Sequence, residues 1–267
     1  MNIHSVSLKG CRDNNEDKHC IVLNSDLKNK SLAPIDFFAV FDGHGGKYVS
    51  THLAETLPKY FMENPNNFPY SRQYIYSVFN DIQSNLRNLH KKEAAQCGST
   101  CLSLIYYKSC NEKYINIYNV GDSRCIMCHN NIAIPLTKDH KPMFPEEKRR
   151  IEKLGGNIYF DGNDYRIKLL SVSRAFGDLD SEPYLTAEPD IFRYKIDDKN
   201  DKFIVLGCDG LYDCLSDTDI VNYILNECYD ENFKRINTQT NIAKKIGEYA
   251  IEKGSTDNIT AIVIFFT

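Results

Sequence analysis

Seven short runs rich in β-branched, aromatic and aliphatic residues constrain this chain more than any other feature: HCIVLN, DFFAVF, TCLSLIYY, YINIYNV, RCIMCH, KFIVLGC and ITAIVIFF. Runs of this length and composition, bounded by polar turn residues, read as β-strands. SRCIMCHNNIAIPLT breaks into two short runs around Asn130-Asn131, a hairpin signal. Between the strands, apolar residues recur at helical spacing. GKYVSTHLAETLPKYF places Val49, Leu53, Leu57 and Tyr60/Phe61 on one face, and QYIYSVFNDIQSNLRNLHKK does so with Ile75, Val78, Phe79, Ile82, Leu86 and Leu89. PEEKRRIEKLGG predicts a short helix that Gly155 ends; SDTDIVNYILNEC, capped by Ser216 or Asp217, and TNIAKKIGEYAIEKG predict two more. Strands follow one another more often than they alternate with helices. An α+β protein with antiparallel sheets covered by helices is expected, not a doubly wound parallel sheet.

At 267 residues the chain suits one large domain, residues 1–267, with ample core. A net charge of −4 and the lack of a basic run argue against a nucleic-acid partner. No stretch approaches the ~18 apolar residues that span a membrane, and MNIHSVSLKG lacks a signal-peptide core. Asn2 excludes N-myristoylation from this start. A cytoplasmic or nuclear protein with its ten cysteines reduced is the expectation. Nothing signals an oligomer, so monomer is the default. Asn-rich stretches such as NPNNF, HNNIA and DKNDK fall where turns are expected.

Acids mark the strand ends. FFAVFDG ends a run at Asp42-Gly43, KFIVLGCDG at Asp209-Gly210 and YINIYNVGD at Asp122; Asp257 precedes ITAIVI, and Glu16-Asp17 precedes KHCIVLN. Any single Asp-Gly is most simply a turn. Two of them behind long buried strands suggest more, because strand ends on one edge of a sheet are rigid and can converge. Converging carboxylates repel unless a cation neutralises them. All-oxygen ligands select Mg²⁺, Mn²⁺ or Ca²⁺ over Zn²⁺. Two such ions ~3.5–4 Å apart can activate a bridging water and orient a phosphoryl group. The glycine after Asp42 would let a backbone carbonyl approach a metal. His44 has the titration range to protonate a leaving alkoxide. Arg12 could grip phosphate through both arms of its guanidinium.

RDNNED (12–17), FDGHGG (41–46), CGSTC (97–101), NVGDSR (119–124), LTKDHKP (136–142), SVSRAFGD (171–178), CDGLYDCLSD (208–217) and GSTDNIT (254–260) occur in this order. Together they resemble the metal-dependent serine/threonine protein phosphatases of type 2C, over roughly residues 8 to 267. The resemblance implies a four-layer αββα sandwich of two antiparallel sheets flanked by helix pairs, with a binuclear metal site at one end. It implies two Mg²⁺ or Mn²⁺ ions and phosphoserine or phosphothreonine protein substrates. By position, Asp42 looks like the acid bridging both metals and Gly43 like a carbonyl ligand. Glu16 resembles an acid acting largely through water, and Asp17 matches the second acid of that motif. Asp209 and Asp257 look like ligands of the other metal, Arg12 like the phosphate-holding residue and His44 like the general acid. Asp122 and Asp213 match positions the family can use for a weaker third metal. Gly98, Ser99 and Thr100 are expected to serve packing. The mechanism implied is in-line attack on phosphorus by a metal-bound water, without a phospho-enzyme.

CIMCH (125–129) fits a haem-attachment pattern, but a strand would point Cys125 and Cys128 to opposite faces, and no second CxxC completes a zinc site. Cys97, Cys101 and Cys208 read as core thiols. His140 and Arg174 invite functional readings. Arg174 is the substrate-side candidate, with a structural ion pair as its plainer alternative. Residues 157–170 depart from the family pattern: the usual Asn-Gly pair is missing, Lys168-Leu169 stand there, and the segment runs one residue short. The resemblance makes this neighbourhood a flap that influences substrate choice. Tyr212 stands where Trp is common. The chain reads as a bare catalytic domain. A binding-only relative that had lost its metal acids is disfavoured because Glu16, Asp17, Asp42, Asp209 and Asp257 are all present; a nuclease, which should carry a basic groove, is disfavoured by the charge of −4 and the lack of a basic cluster.

Overall fold

A computed structural model describes residues 1–24, 35–63, 68–236 and 240–266. The turn expected in NPNNF falls mostly on residues 64–67, outside the described residues. In chain order the first half contains β1 (Asn2–Leu8), β2 (Lys18–Val22), β3 (Ile35–Phe41), β4 (Gly43–His44), α1 (Tyr48–Met62), α2 (Arg72–Leu89), β5 (Gly98–Ser99), β6 (Cys101–Ser109) and β7 (Glu112–Val120). Then come β8 (Arg124–His129), β9 (Ile132–Pro135), α3 (Pro145–Lys153), β10 (Ile158–Phe160), β11 (Tyr165–Ile167) and β12 (Phe176–Gly177). The chain closes with β13 (Asp190–Lys195), β14 (Asp201–Gly207), α4 (Asp209–Tyr212), α5 (Asp217–Cys228), α6 (Ile242–Glu252) and β15 (Ile259–Phe265).

Two five-stranded sheets dominate, ordered β1-β15-β14-β8-β9 and β13-β7-β6-β3-β2, with every neighbouring pair antiparallel. The Asn130-Asn131 hairpin forms as expected, both residues left-handed (φ 50° and 64°), which matches the twist of a two-residue turn. Ser216 caps α5 in a reciprocal box with Asp219, and Asn241 caps α6.

The strand runs are continuously apolar because both faces are covered. Along β3, Ile35, Phe37, Ala39 and Phe41 pack with Leu53, Leu57 and Phe61 of α1 and Ile75, Phe79 and Ile82 of α2. The alternate residues, Phe38 and Val40, pack with Leu102, Leu104 and Ile117 against Ile204, Leu206, Ile262 and Ile264 of the other sheet. The opposite face of that sheet, through Phe203, Val205, Ala261 and Val263, meets Ile220 and Ile224 of α5 and Ile242 and Ile246 of α6. Cys125 and Cys128 fall in different clusters, as their strand spacing requires, and none of the ten cysteines is in a disulfide.

Strand direction fixes where the acids go. The C-terminal ends of β3 and β7 point the same way, since each is antiparallel to β6. Lys18 at the start of β2 pairs with Phe41 at the end of β3. In the other sheet Gly207 pairs with Ala261, and Leu8 with Ile259, so the end of β14 lies beside the start of β15 and the end of β1.

Candidate metal centre

Asp213 apart, each acid sits one or two residues outside a strand and inherits that strand's rigidity. Asp42 follows β3, and its backbone is clamped by Thr100: the Asp42 N–H donates to Thr100 Oγ1 (3.1 Å) and the Thr100 N–H to the Asp42 carbonyl (2.9 Å). Asp209 opens α4, and Asp257 donates order to the start of β15 by accepting the Asn258 N–H (2.7 Å). Asn258 also ties down the N-terminal loop. Its Oδ1 accepts from Glu16 N–H (2.8 Å) and its Nδ2 donates to the carbonyls of Lys9 and Asn14 (2.8 and 2.9 Å).

The two Asp-Gly pairs are not simple turns. A Cβ on Gly43 would stand 2.4 Å from the Glu16 carbonyl oxygen, and one on Gly210 would stand 2.1 Å from that of Asn258. Neither distance is tolerable, so glycine is what lets the Glu16 and Asp257–Asn258 segments close on the strand ends that carry Asp42 and Asp209.

One cleft of 820 Å³ is lined by Arg12, Glu16, Asp42, Gly43, His44, Asp122, Asp209, Asp213 and Asp257, together with Thr100, Lys141 and Asn258. Asp17 lies behind it. It is 2% exposed, and its Oδ2 has no hydrogen-bond partner among the described residues. Burial raises Asp42 well above the usual carboxylate range, and the charges of Asp209, Asp17 and Asp122 push it further. Burial, then the charges of Asp122 and Asp213, takes Asp209 to about 7. Asp17 reaches about 6, by burial first, offset in part by the polar side chains of Thr260 and Cys208 nearby. Carboxylates crowded at such electrostatic disadvantage, one with an unpartnered oxygen, suit a hard divalent cation.

Among the described residues no group of three or more His, Cys, Asp or Glu side chains is set close enough to hold an ion as it stands. The acids have other partners. Asp257 accepts from Arg12 (2.6 Å), Asp122 is held by Lys141, and Glu16 accepts the Gly46 N–H (3.1 Å). The donor set fits by chemistry, and holding an ion would require some of these partners to be displaced.

His44 is held by a partner the sequence did not reveal. Its Nε2 lies 2.6 Å from Oδ2 of Asp178, which is 2% exposed. Burial opposes the charged imidazolium, but the hydrogen bond and charge of Asp178, with Asp122 and Glu16, outweigh it and raise the His44 pKa. Lys141, beside His140, lines the cleft and carries no sequence signal that marks it. His140 is buried, accepts the Gly121 N–H (3.1 Å) and stands 3.3 Å from Asp190, so it braces the loop that carries Asp122. Arg174 takes the plainer of its two readings in its contacts. Its guanidinium is committed to Glu147 (2.6 Å), Asp190 (3.1 Å) and the Glu188 carbonyl (3.0 Å), and it does not line the cleft. These contacts are those of a structural ion pair.

The sequence profile of protein phosphatase 2C matches residues 1–259. A PP2C-like domain-containing protein of Acanthamoeba polyphaga mimivirus is 43% identical over 170 residues, 57% of this chain and 94% of that protein. Bovine protein phosphatase 1L is 33% identical over 277 residues, 99% of this chain and 72% of that protein. A solved structure of a C. elegans sex determining protein superimposes with a TM-score of 0.88 at 26% identity, covering all of this chain and 65% of that one. The chain thus spans about two thirds of that solved chain. Profile and relatives agree on one conclusion: this chain belongs to the protein phosphatase 2C family of metal-dependent serine/threonine protein phosphatases.

Proposed function

We propose that this chain hydrolyses phosphoserine and phosphothreonine in proteins, as one domain over residues 1–267 built as a four-layer αββα sandwich with a two-metal centre at the end of its sheets. The observation that carries this reading is the convergence of Asp42, Asp209, Asp257, Glu16, Arg12 and His44 on one cleft. Asp42, Gly43, Glu16, Asp209 and Asp257 would hold two Mg²⁺ or Mn²⁺ ions, with Asp17 supporting Asp42 from behind. Asp122 and Asp213 would hold a weaker third once Lys141 turns away. When bound, the ions supply positive charge to the phosphoryl oxygens and lower the pKa of water.

The chain's own residues do the rest. Arg12, exposed at the cleft mouth and paired with Asp257, can swing to the phosphoryl oxygens and hold them in line. Water forms the new P–O bond as the bond from phosphorus to the Ser or Thr oxygen breaks, the electron pair leaving with that oxygen. His44 in its charged form gives that oxygen a proton and is recharged by the proton the attacking water loses. With Nε2 tied to Asp178, Nδ1 is the ring nitrogen left to make the transfer.

Phosphate release from a phosphothreonine peptide tests the reading. Turnover with Mn²⁺ or Mg²⁺ that stops with EDTA is expected. No release from folded protein under any metal would overturn it.

A further inference from the structure

All three aliphatic side chains lining the cleft come from one segment: Leu169, Leu170 and Val172. Leu169 is 83% exposed, although the cleft it lines is walled, apart from Leu170, Val172 and two glycines, by charged and polar groups. A scattered surface leucine means little. This one is held out by a braced turn. Ile167 and Leu170 exchange both backbone hydrogen bonds (3.0 and 3.1 Å), leaving Lys168 and Leu169 as the turn pair, with Lys168 left-handed (φ 52°). Left-handed backbone disfavours a long side chain, yet the turn is fixed from three sides. The Lys168 Nζ donates to the Asp180 carbonyl, the Tyr159 hydroxyl donates to the Lys168 carbonyl, and Arg166 Nη1 donates to the Leu169 carbonyl (2.9 Å). A turn anchored so firmly presents its apolar tip at little entropic expense on binding.

We propose that Leu169 is a specificity-determining residue: it packs against a large aliphatic or aromatic side chain flanking the phosphorylated residue of the substrate. The inference rests on the phosphatase reading above. The occupant is the substrate chain itself, because the leucine shares a continuous wall with the cleft that would take the phosphoryl group. A substrate threaded through that cleft must pass the turn. Its flanking apolar side chain gains a dehydrated contact there, whereas a flanking charge would be desolvated against Leu169 for nothing.

The test measures kcat/KM on phosphothreonine peptides that carry Leu, Phe, Lys or Asp at each flanking position, with p-nitrophenyl phosphate run alongside. Wild type should favour Leu or Phe at one position by about tenfold, a typical value for one apolar contact. Leu169→Asp should erase that preference and favour Lys at the same position; Leu169→Ala should erase it without favouring Lys. Activity on p-nitrophenyl phosphate with no peptide preference would overturn the inference and leave the phosphatase reading standing. A preference unchanged in both variants would do the same. Inactivity on every substrate with metal present would remove both.

Discussion

His44 and Asp178 show how a site can be half legible. His44 stands out because it lies two residues beyond an acid at a strand end. Asp178 lies 134 positions away, and its partnership exists only because β12 pairs with β5, which pairs with β4. No local pattern carries that. One hint was available: the Gly-Asp of AFGD repeats the strand-end acid seen elsewhere. Asp178→Asn should lower turnover of alkyl phosphates more than of aryl phosphates, by roughly tenfold or more, because only alkoxides need the proton that His44 delivers. Equal losses on both substrates would remove Asp178 from proton delivery. Gly98 belongs to the same device. A Cβ there would stand 2.0 Å from Asp178 Oδ2 and 2.5 Å from His44 Nε2, so the CGSTC motif is small in order to admit this pair. Gly98→Ala should destabilise the fold by about 1–3 kcal/mol, read by urea melts, and carry the leaving-group signature of Asp178→Asn.

At the scale of elements, the long helices and the central strands were plain in the sequence, because burial on one or both faces writes itself into the pattern. β1 and β13 were not. Each is a sheet edge with alternating polar residues, NIHSVSL and DIFRYK, and each is held in place by pairing with a distant strand. β10 and β11 are three residues each, too short to carry a period. Helix α3 is held by an ion cluster that is local in one half and assembled by the fold in the other: Glu147, 3% exposed, accepts from Arg150 one turn on (2.8 Å) and from the distant Arg174 (2.6 Å). Burial would raise the Glu147 carboxyl, but these two arginines prevail and bring it from 4.5 to about 2. A depressed folded pKa gives stability that is fully present above pH 4.5 and is lost as pH falls towards 2. Glu147→Gln should therefore cost about 3 kcal/mol near pH 7, with the gap to wild type narrowing below pH 4.5 in denaturant titrations. A gap independent of pH would contradict the ion-pair account. Ser216→Ala, removing the α5 cap, should cost about 1 kcal/mol at any of these pH values.

For the whole molecule, antiparallel sheets covered by helices followed from the order of runs. The convergence of acids did not follow from any one of them; it required the shared direction of β3 and β7 and the pairing of β14 with β15. The structure also shows what the sequence could not, that Asp257, Asp122 and Glu16 are each engaged by a protein partner. Metal binding as proposed would displace at least some of these contacts. The central claim is that these acids are a cation site built at strand ends, with Asp209 a ligand and not a brace. Calorimetric titration of Mn²⁺ into wild type and Asp209→Ala, with both proteins shown folded by circular dichroism, tests it most directly. The account predicts saturable binding to wild type and a large loss of affinity or stoichiometry in the variant. Equal binding to both would contradict it.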